Sequence, residues 1–475
     1  MLSMCGWNVG AALQAGGVPI PHRGSAGRVV HGRRRVALKR GARLAAAGCH
    51  NCDMTQTTSD ALAATRLRRM TGRNPRETHR VVTPLELLFD LTFVVAIGTA
   101  ANQFAHLVAV QHLAEGLLAF TFAMLAICWA WINFSWFSSA YDTDDWFYRI
   151  WTMVQMVGVI VLALGLPALF HSLDEGAHID SRLVVAGYVV MRVASIAQWL
   201  RVWLQDPAGR RTALTYVRWV SLAQVGWIIL AIIDLAVVPT IVLSVVLFIV
   251  EFTGPVFAER GVRATPWHPH HIAERYGLLV IIALGEGVFG TVTSVSAIID
   301  GQGWSAETII VIVAGIGLTF GMWWTYFLLP SGILLAHRRG KRFVWGYGHL
   351  LVYASIAAMG AGLHVVAYVI EGESAIGTLG AILAVAIPVA IYSITLFVLY
   401  QYLLEEWDFL HLVLIVAAIL LLAVAVVLAA IGASLGICLI IVTLSPAVIV
   451  VGFETVGHRR QAAVLERLLA SSTAE

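Results

Sequence analysis

The stretch "VTPLELLFDLTFVVAIG", Val82 to Gly98, is apolar enough to begin a membrane-spanning helix, yet it contains two carboxylates, Glu86 and Asp90. Crossing the hydrocarbon core takes about 20 mostly apolar residues as a helix. The whole chain shares this character, since 59% of its 475 residues are hydrophobic, 12% are charged and the mean hydropathy is +0.81. Because long unbroken apolar runs exclude a barrel of alternating strands, we predict an all-α polytopic membrane protein.

Twelve apolar segments along the chain are each long enough to cross a bilayer. Lys and Arg precede the first segment and fall in alternate loops, whereas intervening loops such as 171–180 and 371–374 contain neither. Because short cytoplasmic loops are enriched in Lys and Arg, the pattern predicts a multi-pass protein of the cell membrane with both termini cytoplasmic. The predicted segments are 85–109, 113–137, 147–170, 181–204, 212–235, 237–257, 272–299, 305–330, 344–370, 375–403, 408–430 and 434–454.

The first 80 residues differ from the rest, because they are rich in Gly, Ala and Arg and hold 14 of the chain's 31 Lys and Arg. We predict a disordered basic leader at 1–80, and our hypothesis is that translation begins at Met54 or Met70 and the leader is an over-extended start. Its "CHNC" motif has no second cysteine pair, so we predict no metal there. The remaining chain divides into a first half, 81–260, a second half, 261–456, and a cytoplasmic tail, 457–475.

The two halves show related patterns at 129–166 and 322–363. Each stretch has a Trp-rich helix end, a short polar loop, an aromatic entry and an apolar helix that contains Gly. Trp and Tyr also crowd any membrane interface, which is the alternative explanation. Six helices return the chain to the side where it began, so we predict two six-helix repeats in the same orientation.

The two acids of the first segment have different expected roles. Thr83, Pro84 and Glu86 match a helix N-cap, a first-position proline and a third-position acid, so Glu86 is expected to form a capping box. Asp90 lies seven residues past Thr83, about 10 Å into the span. Facing lipid would cost about 2.5–3.5 kcal/mol, so Asp90 should face the protein interior.

A third acid, Glu251, lies within the sixth segment, four residues before Pro255. Counted from Arg260, it is about 13 Å from the basic side, a depth similar to that of Asp90. We therefore expect Asp90 and Glu251 to lie close together. Two acceptors at one level suit a cation or a proton, although a structural contact between helices would use the same groups.

The stretch "HPHHIAERYGLLVIIALGEGVFG", 268–290, combines a His-rich start with a deeper acid. Its histidines lack the i, i+4 spacing of a helical zinc pair, so we predict no metal site at His271. Glu274 and Arg275 suit an acid and a base near a helix start. Glu286 is surrounded by glycines, which would let a solute or another helix approach closely, and plain close packing is the alternative.

At these residues the chain resembles a known family. "TPLELLFDLTFVVAI" (83–97), "YDTDDWFYR" (141–149) and "HIAERYGLLVIIALGEGV" (271–288) are similar to the signature blocks of the low temperature requirement protein A (LtrA) family of bacterial membrane proteins, over about residues 80–455. The resemblance implies the membrane class and supplies no settled biochemical activity. A fainter similarity links "FDLTFVVAIGT", Phe89 to Thr99, to the Phe-Ser-Asp block of potassium channels with two six-helix halves, where Leu91 here replaces a Gly.

The leading hypothesis is permeation, by a channel or transporter, of a cation, a proton or a small polar solute. A membrane-embedded enzyme acting on a lipid is one alternative, although the sequence contains no HExxH motif. A scaffold or sensor without transport is the other. We predict the lipid bilayer as partner, no cofactor and no nucleic acid, and leave a homo-oligomer open. The candidate functional residues are Phe89, Asp90, Glu251, His271, Glu274, Arg275 and Glu286.

Overall fold

The computed structural model describes residues 67–75, 77, 80–176, 178–233, 235–260, 264–406 and 408–472. The predicted start at Met54 and the "CHNC" motif lie outside these residues. The described end of the predicted leader, from Leu67 onward, lies against the helical bundle.

The regular structure of the described residues is helical, apart from an isolated β-bridge between His178 and Ala236. Within the part of the chain that the structure describes, twelve helices are long and apolar enough to cross a membrane, which confirms the predicted all-α class and the number of spans. They are α1 (Pro84–Ala109), α2 (Leu113–Tyr141), α3 (Trp146–Glu175), α4 (Arg182–Gln205), α5 (Arg210–Ile232), α6 (Val237–Ala258), α7 (Pro269–Gln302), α8 (Ala306–Phe327), α9 (Arg342–Glu371), α10 (Gly377–Leu404), α11 (Phe409–Ala430) and α12 (Leu435–Gly452).

Local sequence explains where several of these helices begin and end. Thr83 and Glu86 form the predicted capping box at the start of α1, with the Thr83 amide donating to Glu86 Oε2 over 2.8 Å. Asp145 caps α3 by accepting the Tyr148 amide over 2.9 Å. Gly176 and Gly372 end α3 and α9 with φ of 73° and 76°, a left-handed conformation that glycine adopts without strain.

Alternate loops cluster at two opposite ends of the bundle. The loops that carry the Lys and Arg runs bond to neighbouring loops, as in Arg339 to the Trp267 carbonyl over 2.7 Å and Lys341 with Glu405, which follows α10. We call this the basic end. The intervening loops meet at the opposite end, where the Ala375 amide donates to the Ala109 carbonyl over 2.9 Å. The predicted grouping of basic loops is therefore present in the fold.

The described residues before α1 lie across the basic end. The Arg68 and Met70 amides donate to Asp145 and Gln205 over 3.1 and 2.8 Å, and the Arg73 amide donates to the Ala140 carbonyl over 2.9 Å. The predicted tail forms a final helix, His458–Ser472, in which Gln461 donates to the Leu328 carbonyl at the basic end. Both described ends of the chain consequently meet the same end of the bundle.

Helix α9 occupies the centre of the bundle. Of its apolar window 78% is buried, compared with 28% for α6 and 33% for α11. It packs against α7 with so little separation that a Cβ on Gly360 would lie 2.6 Å from Glu286 Cβ. This packing places α1, α7 and α9 side by side, and the acidic side chains of α1 lie against basic side chains of α7.

Candidate functional site

A cluster of ionisable side chains joins the first helix of each predicted half. Helix α1 presents Glu86 and Asp90 one turn apart, and α7 presents His271 and Arg275 with the same spacing, so each pair lies on one helix face. All four residues have 0% exposure. We call these four residues, together with Arg80 and Asp142, the α1–α7 cluster.

Arg275 is the hub of the cluster. It forms an ion pair with Asp90, and its Nη1 lies 3.2 Å from Glu86 Oε1. His271 Nε2 lies 3.3 Å from both Glu86 oxygens, and Trp131 Nε1 donates to Asp90 Oδ1 over 2.7 Å. Because arginine stays protonated in proteins, Arg275 is a permanent cation between the two acids.

Arg80 and Asp142 close the cluster toward the basic end. Arg80 donates to Asp142 over 3.2 Å and to the Ser138 carbonyl over 3.1 Å, and it lies 3.8 Å from Glu86. Asp142 follows the last residue of α2. Burial raises the pKa of Asp142 to about 6, and the charge of Glu86 adds to this, while the Arg80 guanidinium opposes it.

The raised pKa of Asp142 predicts how stability depends on pH. A carboxyl whose pKa is higher in the folded protein than in the unfolded chain, about 3.9, destabilises the fold progressively as pH rises between those values. From pH 5 to pH 7.5 we expect wild type to lose on the order of 1 kcal/mol more stability than Asp142→Asn, because only wild type gains this buried charge. Unfolding in detergent at the two pH values measures it, and equal pH dependence in both proteins would contradict the prediction.

Several polar atoms of the cluster are buried without a hydrogen-bond partner among the described residues. They include Asp90 Oδ2, His271 Nδ1 and Arg275 Nε. Buried polar atoms are rarely left unpaired in proteins, and exceptions concentrate at functional sites. The second oxygen of Asp90 is thus an acceptor that Arg275 and Trp131 do not use.

Glu251 occupies a separate buried site within the first half. Arg192 Nη2 lies 3.0 Å from its Oε2, Trp129 Nε1 donates to the same oxygen over 2.9 Å, and Gln224 donates to Oε1 over 3.0 Å. Glu251 is 5% exposed and Arg192 is 2% exposed. This acid, like Asp90, therefore has its own arginine and its own tryptophan.

The expectation that Asp90 and Glu251 lie close together is wrong, although their levels do correspond. Their tryptophan partners, Trp131 and Trp129, are two residues apart on α2, so the acids lie at a similar depth. Residues two apart on a helix point about 200° from each other, so the indoles reach opposite sides of α2. Among the described residues, no hydrogen bond or ion pair joins the two acids.

The remaining candidates divide between the interior and the surface. Phe89 is 1% exposed, and its ring lies 3.8 Å from that of Phe134, which in turn packs against the Arg275 guanidinium. Glu286 is 4% exposed, and within the described chain it has no cation within 4 Å. A Cβ on Gly98 would lie only 2.7 Å from its carboxylate. Glu274 is exposed, accepts a hydrogen bond from the backbone of Val82 and lies at the edge of the cluster, within reach of the charges of Glu86 and Arg275.

Sequence reasoning missed several partners. Arg192 lies inside α4, and an intramembrane arginine is itself a signal of a functional or paired group. Arg80 falls within the predicted leader and Asp142 between two predicted spans, and no local motif links either one to Glu86. No group of three or more His, Cys, Asp or Glu in the described chain could hold a metal ion.

Comparison with known proteins shows the family. Residues 81–446 match the family of the bacterial low temperature requirement A protein (LtrA). The chain belongs to the LtrA family. The match contains all of the α1–α7 cluster except Arg80, together with Glu251 and Glu286.

One curated protein aligns with more than half of the chain. The LtrA-family chain is 26% identical over 290 residues to "Uncharacterized protein RA0937" of Rhizobium meliloti (strain 1021). The aligned region covers 57% of this chain and 66% of that protein, slightly under two thirds of its length. No solved structure matches the chain.

Proposed function

We propose that this LtrA-family protein is a transporter that couples proton binding to the passage of a small solute between two six-helix halves. The observation that carries the proposal is the fully buried ion-pair cluster that joins α1 to α7. Intramembrane charges are costly, and they typically mark ion or proton pathways.

The pairing of the acids favours a proton over a metal cation as the coupling ion. A metal cation would have to displace the Arg275 guanidinium from Asp90. A proton can instead add to Asp90 Oδ2, which has no described partner. The cluster has two arginines and three carboxylates, so with His271 counted as neutral one proton balances its excess negative charge. Protonation would weaken the hold of α1 on α7.

Several features support two repeats related by an axis along the membrane normal. The contacting pairs Glu86–His271 and Asp90–Arg275 are both separated by 185 residues. A twofold axis between equivalent helices produces such contacts between equivalent positions. Helices α3 and α9 are both 30 residues long, and each ends in a left-handed glycine. We therefore propose that the halves move as units, with the cluster as the contact between them.

A scaffold or sensor that transports nothing is the second candidate. The specific observation in its favour is that Asp90 and Glu251 are each paired with an arginine and an indole, as purely structural acids would be. Replacing a buried acid by its amide distinguishes the two functions. A structural acid can be replaced in this way with little effect, whereas a proton carrier loses its activity. Proton flux in proteoliposomes is the deciding assay.

The proposed orientation gives a prediction of its own. The basic end should face the cytoplasm, because short loops rich in Lys and Arg are retained there. Reporter fusions after His337, at the basic end, and after Glu373, at the opposite end, are expected to report the cytoplasm and the other side respectively. Two reporters on one side would contradict this topology.

A further inference from the structure

A cavity of about 40 Å³ lies between the two predicted halves, apart from both buried ion-pair sites. Helices α2, α4, α5 and α6 form most of its wall, and the first turns of α9 complete it. We call it the aromatic cavity. Its aromatic lining residues are Trp129, Trp136, Trp199, Tyr216, Phe343 and Tyr347.

The polar ends of three lining aromatics are occupied by groups outside the cavity. Trp129 Nε1 donates to Glu251, Trp136 Nε1 donates to the Tyr276 hydroxyl over 2.9 Å, and the Tyr347 hydroxyl donates to the Phe252 carbonyl over 2.9 Å. These side chains therefore offer the cavity their rings rather than their hydrogen-bond donors. Six of the thirteen residues that line the cavity are aromatic, and aromatic rings carry negative charge on their faces.

A buried carboxylate adds a full negative charge to this wall. The side chain of Glu259 is 4% exposed and accepts from Tyr216, over 3.1 Å, and from the Thr265 hydroxyl and amide, over 2.8 and 3.1 Å. An ionised carboxylate has about four acceptor positions, so these three bonds leave one unused. Arg342 Nη2 stands 3.9 Å from Glu259, too far for a hydrogen bond, and its side chain is 19% exposed.

We propose that the aromatic cavity binds a small alkylammonium group. Aromatic faces attract cations, most strongly where water is excluded, and Glu259 supplies the counter-charge. The cavity volume of about 40 Å³ is the space open to the centres of water molecules, and it holds roughly three waters. Three waters occupy about 90 Å³ of liquid, which is the size of a methylated ammonium group. The inference that an alkylammonium ion is the transported solute rests on the proposed function. The inference that the aromatic cavity binds such an ion does not depend on transport.

Choline and its uncharged isostere 3,3-dimethylbutan-1-ol test the inference. We would titrate each into the full-length protein in detergent, following tryptophan fluorescence and calorimetric heat, with sodium chloride as the ionic-strength control. Choline is expected to bind saturably, and the isostere at least tenfold more weakly, because only choline has the charge that Glu259 and the rings attract. Two results would overturn the proposal. One is no choline binding up to about 100 mM, a concentration at which ordinary salt effects set in, and the other is equal binding of choline and the isostere.

Variants locate the binding in the cavity. Glu259→Gln and Trp199→Leu should each weaken choline binding about tenfold, whereas Arg342→Gln should strengthen it severalfold by removing a nearby positive charge. Tyr400→Leu is the matched control, since Tyr400 is an aromatic residue lining a different cavity, between α8, α10, α11 and α12. Unchanged binding in all three cavity variants overturns the assignment.

Stability and flux measurements keep the outcomes separate. Thermal unfolding is recorded for every variant, and if Glu259→Gln does not fold, the opposite responses of Trp199→Leu and Arg342→Gln still decide. Choline binding without any transport supports the site and contradicts the proposed function. Proton flux without choline binding supports the proposed function and overturns this site.

Discussion

Arg275→Gln is expected to lower the free energy of unfolding by about 3–5 kcal/mol, the usual cost of removing one partner from a buried ion pair. Arg275 lies between Asp90 and Glu86, and all three side chains have 0% exposure, so its loss strands negative charge that water cannot reach. Unfolding of the purified protein in detergent measures the change.

A double variant and a surface control make this prediction specific. Adding Asp90→Asn to Arg275→Gln should recover at least about 1 kcal/mol, because it neutralises one stranded acid. Arg467→Gln removes an exposed arginine paired with Glu406, and such surface pairs contribute about 0–1 kcal/mol. If Arg275→Gln costs no more than Arg467→Gln, the cluster does not stabilise the contact between α1 and α7.

Asp90→Asn is expected to reduce proton flux at least tenfold while the protein remains folded. Asparagine has nearly the same shape and can still accept the Trp131 indole, but it cannot take up a proton as the carboxylate does. Proteoliposomes that contain a pH-sensitive dye report the flux, and thermal unfolding of the same preparation reports the fold.

Two further variants calibrate this loss of flux. Glu251→Gln tests the second buried acid, which contacts Arg192 and lies apart from the α1–α7 cluster, and we expect a smaller reduction. Glu405→Gln alters an acid outside the spans, at the basic end, and should leave flux unchanged. Equal flux in wild type and Asp90→Asn would favour the scaffold over the transporter.

The features that sequence predicts well are those set within a few neighbouring residues. The twelve spans follow from apolar length alone, and the capping box of Thr83 and Glu86 follows from a four-residue motif. The interior position of Asp90 follows from the cost of exposing its charge to lipid. Each of these needs no knowledge of which helices touch.

The features that sequence did not predict depend on which helices are neighbours. Glu86 was identified only as a cap, yet it also contacts His271 and Arg275, 185 or more residues away. Asp90 and Glu251 have similar depths, but depth does not say on which side of α2 each acid lies. Arg192 is the exception, because an arginine within an apolar span could have been recognised as the partner of a buried acid.

Reconstitution of the wild-type protein tests the central claim most directly. Proteoliposomes with an imposed pH gradient, and with potassium, sodium or choline outside, would be compared with protein-free liposomes. The account predicts that the protein dissipates the gradient at least tenfold faster than the lipid alone and that Asp90→Asn abolishes the difference. Proton flux equal to that of protein-free liposomes, with every solute present, would contradict it.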